Sequence, residues 1–297
     1  MIQYAADGLV TGATLALGAI GLTLTYDILR FANFAHGEFL AFGAYFTLLF
    51  AAFFAGGQTI GPLTFGWGFL VAVMLAMVLC AVLALVLDRL LFRPLRRSDL
   101  TITLVIASFG ASLMLRNAIV FLWGSRPEYY SRNIAVSTGI VPGVRMSADE
   151  LFVIGLTAVL MLALHLFLRH TPLGRSMRAV SDDPSLARVA GIDVQAVIRW
   201  TWFIGAGLAA VAGTLFGLTV QLSPEMGFNL ILPMFAAAIL GGIGSIHGAV
   251  VGGLIVGLAQ EISVPLIGSA YKPGVAFVLM FAILLVRPTG IFGVRGR

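Results

Sequence analysis

Residues 33–46 read NFAHGEFLAFGAYF, which places Asn33, His36 and Glu38 within six positions of otherwise apolar sequence. The chain on either side is oily: GATLALGAIG at 12–21 precedes it and TLLFAAFFA at 47–55 follows. Ionisable groups facing lipid cost a few kcal/mol or more, so these three are expected to face protein or a water-filled cavity. Asn33 is placed to cap the helix that follows, and Glu38 to sit in its first turn, where the helix dipole favours a carboxylate. A capped, broken helix start and a gate that touches cargo are both open readings of this turn.

The composition around the turn decides the class. The chain has 297 residues, 60% hydrophobic and 10% charged, with a mean hydropathy of +1.03. A soluble domain carries roughly 25% charged residues, so this chain cannot cover a water-facing surface. It contains several apolar runs of about 20 residues, the length that crosses a bilayer core. Transmembrane β-barrels show alternating segments of about 10 residues instead, and none are present. The fold class is therefore all-α, a polytopic transmembrane bundle of about eight or nine spans with broken or re-entrant helices. Expected spans are 6–26, 34–55, 67–91, 100–123, 150–168, 200–221, 228–243, 246–264 and 273–287. The segments 228–243 and 246–264 are short and separated by glycines.

The start, MIQYAADGLVTG, lacks a basic n-region, so the first apolar run reads as a retained span. The single cysteine, Cys80, excludes a disulfide framework and a cysteine metal site. A pI near 9.9 raises the question of nucleic acid, but the basic residues sit in short loops, as topology control requires. Arg89, Arg93, Arg96 and Arg97 flank one loop, and Arg169, Arg175, Arg178, Arg188 and Arg199 another; Arg287, Arg295 and Arg297 end the chain. These regions fall on one side, which is expected to be cytoplasmic together with the C-terminus, leaving the N-terminus outside. The loop 124–149 lies opposite, with Tyr129, Tyr130, Pro127 and Pro142 suiting an ordered interfacial segment. No stretch is long enough for a separate soluble domain, so 1–297 reads as one transmembrane domain.

Engines and catalytic sites are missing from the pattern. The only lysine is Lys272, in SAYKPG, so the chain holds no P-loop. None of His36, His165, His170 and His247 lies in HExxH. Ser245 and His247 in GIGSIHG are two apart, which on a helix points them away from each other and argues against a hydrolase pair. Both are candidates to line a translocation path.

In RHTPLGRSMRAVSDDPSLARVAGIDVQAVIRW, residues 169–200, Pro172 and Gly174 break the preceding span. Asp182 or Asp183 can cap a short helix begun by Pro184 and stopped by Gly191. Leu186, Ala187, Val189 and Ala190 give that helix a small apolar face, better suited to a groove on a partner protein than to a membrane surface. Gly241, Gly242 and Gly244 destabilise any helix through them, which predicts a break at membrane depth. NFAHGEFLAFG and GGIGSIHGAVVGG share a polar residue, an apolar residue, His-Gly and a small-residue helix. That likeness suggests two halves whose discontinuous helices meet near the midplane.

YDILRFANFAHGEFLAFGAY, RAVSDDPSLARVAGID, AAAILGGIGSIHGAVVGG and RPTGIFG, in this order, resemble the permeases of branched-chain amino acid ATP-binding-cassette (ABC) importers. The likeness is greatest to the LivH-type half of the LivH/LivM family, which also includes urea and short-amide permeases. Asp27 stands where that family usually has glycine. The resemblance implies a permease subunit in the bacterial inner membrane, surrounded by lipid, without an ATPase site or cofactor of its own. Its implied partners are a second LivM-type permease, two cytoplasmic ATPases that bind and hydrolyse ATP, and a periplasmic substrate-binding protein. It also implies a coupling segment within about 170–199, with Arg178, Asp182, Asp183, Leu186, Ala187, Gly191 and Ile192 at its centre. Asn33, His36, Gly37 and Glu38, with Ser245 and His247, are then the candidates for path and gate. An ion-coupled secondary transporter would need a carboxylate deep in a span, and Asp7, Asp27, Glu38 and Glu261 all fall near expected ends. The count of spans also sets the 33–38 turn toward the cytoplasmic side.

Overall fold

Backbone groups in a bilayer find no water, so an apolar run satisfies them only by closing its own hydrogen bonds as a helix. The computed structural model follows that rule and describes residues 1–54, 59–96, 101–131, 137–287 and 289–293. Arg97, Arg295 and Arg297, counted above for orientation, lie outside those residues. The elements are α1 (Ile2–Leu29), α2 (His36–Phe53) and α3 (Trp67–Leu87). The last runs through a π-helical turn, Asp88–Phe92, into α4 (Arg93–Leu95). Next come α5 (Thr101–Trp123), a hairpin of β1 (Ser137–Val141) and β2 (Val144–Ser147), then α6 (Ala148–His170), α7 (Pro172–Asp182) and α8 (Pro184–Val189). The chain closes with α9 (Val194–Thr219), α10 (Met226–Gly241), α11 (Ile246–Ile267) and α12 (Lys272–Val286). Eight helical segments among the described residues are long and apolar enough to span a membrane, and α10 is a ninth, shorter apolar helix. The expected spans are all found, with ends shifted by a few residues.

Burial sorts these helices into a centre and a ring. Nearly all of α1 and most of α9 are buried, whereas α6 and α12 leave most of their apolar surface open to lipid. Around the central pair stand α2, α3, α10 and α11, with α5, α6 and α12 outside. Close approach at the centre rests on glycine. A Cβ on Gly43 would overlap the Ala210 backbone, one on Gly213 the Leu40 carbonyl, and one on Gly257 the Gly12 backbone. Small residues are what let membrane helices pack backbone to backbone, where lipid offers no hydrophobic force between them.

The packing repeats with opposite sense. Helix α1 lies along α11 as α9 lies along α3; α2 packs on α3 and α9 as α10 packs on α11 and α1; α5 covers α2 as α12 covers α10. The start of α1 meets the hairpin, where the Gln3 side chain bonds the Arg145 backbone (2.8 and 3.0 Å), while α9 ends beside Tyr130. The two central helices therefore run in opposite directions, and the chain consists of two inverted halves, α1–α5 and α9–α12. Two halves are expected from the sequence, but the motif likeness matches them wrongly. The His36-Gly37 start belongs to α2, whose counterpart is α10, while His247-Gly248 starts α11. The short motif likeness is not the repeat.

Two glycine conformations matter at the break after α10. Gly242 (φ 103°) and Gly244 (φ 88°) occupy backbone that side chains rarely adopt, so the helix ends there as expected. The closing segment caps it: the N–H groups of Ile291 and Phe292 donate to the Leu240 and Gly241 carbonyls, both at 2.9 Å. In the 124–149 loop, Pro142-Gly143 turns the hairpin, with Gly143 at φ 88° and Ser147 pairing Ser137. Ser147 and Glu150 then form a capping box that starts α6.

If the α2–α9 contact holds the centre together, Gly213→Ala forces backbones apart. It is expected to destabilise the purified protein by about 1–3 kcal/mol, read as a lowered unfolding temperature in detergent. Gly110→Ala, which meets nothing within 4 Å, serves as control.

Candidate translocation site and coupling surface

Helix α1 ends at Arg30, the only non-glycine residue among those described with positive φ (57°), and the chain folds back into the bundle. The returning turn is held by short-range bonds. The Ala35 N–H donates to Asn33 Oδ1 (3.1 Å), the His36 N–H to the Asn33 carbonyl (3.3 Å), and the Phe34 N–H to Ser108 Oγ of α5 (3.1 Å). Asn33 thus closes the turn that precedes the helix. It does not cap α2 itself, whose first turn has no side-chain cap.

His36 and Glu38 point into protein and are fully buried. His36 Nε2 donates to the Gly18 carbonyl in α1 (3.1 Å), which sets the proton on Nε2. Glu38 Oε1 accepts from the Ser112 hydroxyl of α5 (3.0 Å). Half of this polar capacity is unused: Asn33 Nδ2, His36 Nδ1 and Glu38 Oε2 are buried without a hydrogen-bond partner among the described residues. Gly18 lies roughly 16 Å along α1 from its last residue at 1.5 Å per residue. The turn is therefore deep within the bundle, not near the cytoplasmic surface as counting spans suggests. Hydropathy reports how long a span is and cannot tell that 30–35 dips inward.

At Gly37 the start of α2 meets the start of α10. A Cβ on Gly37 would overlap the Gly227 carbonyl, and one on Gly227 would overlap that of Gly37. Two helix N-termini, each a source of unpaired N–H groups and partial positive charge, thus abut inside the protein. Arg116 of α5 joins this place. Its guanidinium lies 5.3 Å from the Phe228 ring centroid, in the first turn of α10, and its charge acts on Glu38. Nothing local in the sequence marks Ser112 or Gly227, and Arg116, expected from its place about two turns from the outer end of its span to snorkel outward, leans inward instead.

Ser245 and His247 do not join that group. Ser245 caps α11, accepting from the Gly248 N–H (3.1 Å), and His247 Nε2 meets His165 Nδ1 (3.1 Å). Both line a cavity of about 430 Å³ with Asp27, Arg169, Arg178 and Asp182. It is bounded on α1 by Leu24 to Ile28, beyond the Gly18–Gly21 level of His36, so the residues expected to form one path occupy two sites.

The 170–192 segment forms an elbow of two helices. Thr171 caps α7, and the Arg178 guanidinium donates to the Leu168 carbonyl, tying α7 to the end of α6. The Ser181 hydroxyl donates to Asp27, and Arg30 donates to the Ser181 carbonyl, so α7 is bound to the end of α1. Asp183, not Asp182, caps α8, taking the Ser185 N–H (2.8 Å), Ser185 hydroxyl (2.6 Å) and Leu186 N–H (3.1 Å). The Ser185 hydroxyl, with the two N–H groups, holds the Asp183 carboxyl below its ordinary range. Its capping is thus present above the ordinary aspartate pKa and lost as pH falls through the lowered one. Gly191 (φ 84°) ends the helix, and the Ile192 N–H returns to the Ala187 carbonyl (3.0 Å). Ala187 packs inward, whereas Leu186 and Val189 stand 66% and 86% exposed.

Residues 4–284 match the family described as "Branched-chain amino acid transport system / permease component". The chain is 37% identical to the high-affinity branched-chain amino acid transport system permease protein LivH of Escherichia coli K12, over 98% of this chain and 95% of that protein. It is 36% identical to BraD of Pseudomonas aeruginosa over the same shares, a protein named in the same words. Identity to the probable LivH of Methanocaldococcus jannaschii is 30%, over 94% of this chain and 89% of that one. No solved structure matches the chain.

Among the described residues Ser112 gives the Glu38 carboxyl its one hydrogen bond, and a buried acceptor left without a partner costs about 1–3 kcal/mol. Ser112→Ala should lower thermal stability by that order. Ser112→Thr, which keeps the hydroxyl, should recover most of the loss.

Proposed function

Because the chain belongs to the branched-chain amino acid transport system permease family, we propose that it is the membrane subunit of an ABC importer for branched-chain amino acids. It sits in a bacterial inner membrane with its C-terminus cytoplasmic, as one transmembrane domain. It pairs with a second related permease, receives cargo from a periplasmic binding protein, and is driven by two cytoplasmic ATPases. ATP is bound and hydrolysed by those partners, since this chain has no P-loop and no catalytic site of its own.

The elbow of α7 and α8 carries this reading. Leu186 and Val189 present apolar side chains outward from a capped, rigid helix, as a docking element does for a groove on a partner. Movement of α8 passes to α7, then through Ser181 to Asp27 and through Arg30 to the end of α1. Helix α1 holds His36 at Gly18 and thereby the start of α2. Asn33, His36, Gly37 and Glu38 form the gate at the α2–α10 junction. Ser245 and His247 belong to the cytoplasmic mouth of the same path. Arg178, Asp182, Asp183, Leu186, Ala187, Gly191 and Ile192 build the coupling surface: Arg178 and Asp183 shape it, and Leu186 makes the contact.

The complex reconstituted in proteoliposomes should take up labelled leucine only when ATP and the binding protein are supplied. Uptake of urea or acetamide in place of leucine would contradict the substrate assignment. Leu186→Ser with Val189→Ser is expected to reduce uptake more than about tenfold, with the unfolding temperature of the isolated chain unchanged. Normal uptake by this variant would remove α8 from coupling. Glu38→Gln and His36→Ala should each slow uptake in assembled complexes. If both transport at the wild-type rate, the turn is structural only.

A further inference from the structure

Away from the α2–α10 junction, the ends of three membrane helices enclose a strongly basic pocket. It lies between the end of α1, the α4 turn, α8 and the start of α9, with a volume of about 510 Å³. Arg30, Arg93, Arg96 and Arg188 line it together with Gln195, and among the described residues no carboxylate does. Ile28, Val180 and Ile198 supply an apolar wall from three different helices. Among the described residues, the acids beside it are engaged elsewhere: Asp88 by Arg96 at 2.6 Å, Asp193 by Arg199 at 3.7 Å, and Asp183 in the α8 cap. Among the described residues, Arg30, Arg93 and Arg188 have no carboxylate within salt-bridge distance.

Four guanidinium groups around one space repel each other unless an anion joins them. Two details point to such an anion. Arg96 keeps a second nitrogen, Nη1, buried and without a hydrogen-bond partner among the described residues. Arg30 holds a left-handed backbone that glycine would adopt without strain, and its guanidinium, which gives one Nη to the Ser181 carbonyl, also lines the pocket. Guanidinium forks match phosphate oxygens in geometry and charge. The pocket also sits where membrane-length helices end on the basic side, and basic pockets between such helix ends bind anionic lipid.

We infer that this pocket binds a phosphate group, supplied by the headgroup of an anionic phospholipid. Pro184 and Arg188 of α8 line the site, so the bound headgroup braces the exposed elbow against the ends of α1 and α4. The site depends on the chain's place in a membrane and not on which cargo it carries.

Native mass spectrometry of the full-length chain, offered phosphatidylglycerol or zwitterionic phosphatidylcholine, tests the proposal. Phosphatidylglycerol should be retained well above phosphatidylcholine, and Arg93→Gln with Arg188→Gln should weaken it about thirtyfold. Arg93→Lys with Arg188→Lys should keep most of the preference, and unfolding temperatures of both double variants show that the fold is intact. Equal retention of the two lipids by the wild-type chain, or a preference that survives the double glutamine variant, overturns the site. Inorganic phosphate separates the sources. Phosphatidylglycerol that resists displacement by it supports the headgroup; phosphate that binds as tightly, and is lost in the same variant, overturns the lipid as its source.

Discussion

Gly37 and Gly227 touch backbone to backbone, and the architecture is organised around that contact. It requires both α2 and α10 to begin inside the bundle, which in turn requires the segments 30–35 and 220–225 to turn back into it. Non-helical backbone at such depth is tolerated only when protein or enclosed water surrounds it. Here the surroundings are α1, α5 and α9, with Asn33, Ser108 and the residues' own carbonyls taking the free N–H groups. A side chain at either glycine would separate the helix starts and open the turns to lipid. The polar residues of NFAHGEF are thus buried in protein, and their unused hydrogen-bonding capacity gathers where two helix dipoles converge.

The same arrangement joins the two faces of the chain. The elbow of α7 and α8 is anchored to the end of α1, and α1 is anchored at its middle to His36. Asp27 makes one of those anchors by accepting from Ser181. The basic pocket lies beside this anchor and shares Arg30 with it. The proposed coupling surface, headgroup pocket and gate are thereby linked through one helix, which packs closely on α11 along a line of glycines.

Much of this was legible from residue order. Span number and approximate limits follow from hydropathy, the break at Gly241–Gly244 from helix propensity, and the stop of α8 from Gly191, while the choice of Asp183 over Asp182 as its cap came only with the structure. Depth and pairing were not legible. Asn33 and Glu38 look alike to a hydropathy window whether their turn sits at a surface or well inside. The equivalence of α2 with α10 lies in packing between segments about 190 residues apart, while the nearer His-Gly likeness pointed to α11. Arg116 carries no local sign of its direction, because a guanidinium near a span's end can reach either way. The partner of Glu38, Ser112, belongs to a helix that the turn's sequence does not predict.

The central claim is that water and cargo reach the junction of α2 and α10. Cys80 is fully buried, so an added cysteine reports alone. Phe34→Cys, half-buried at the turn, can be compared with Ile106→Cys, which faces lipid from α5. In the assembled, ATP-energised importer, a small water-soluble thiol reagent should modify position 34 and spare position 106, with leucine slowing the reaction at position 34. Equal inertness at both positions, in every nucleotide state, would contradict the account.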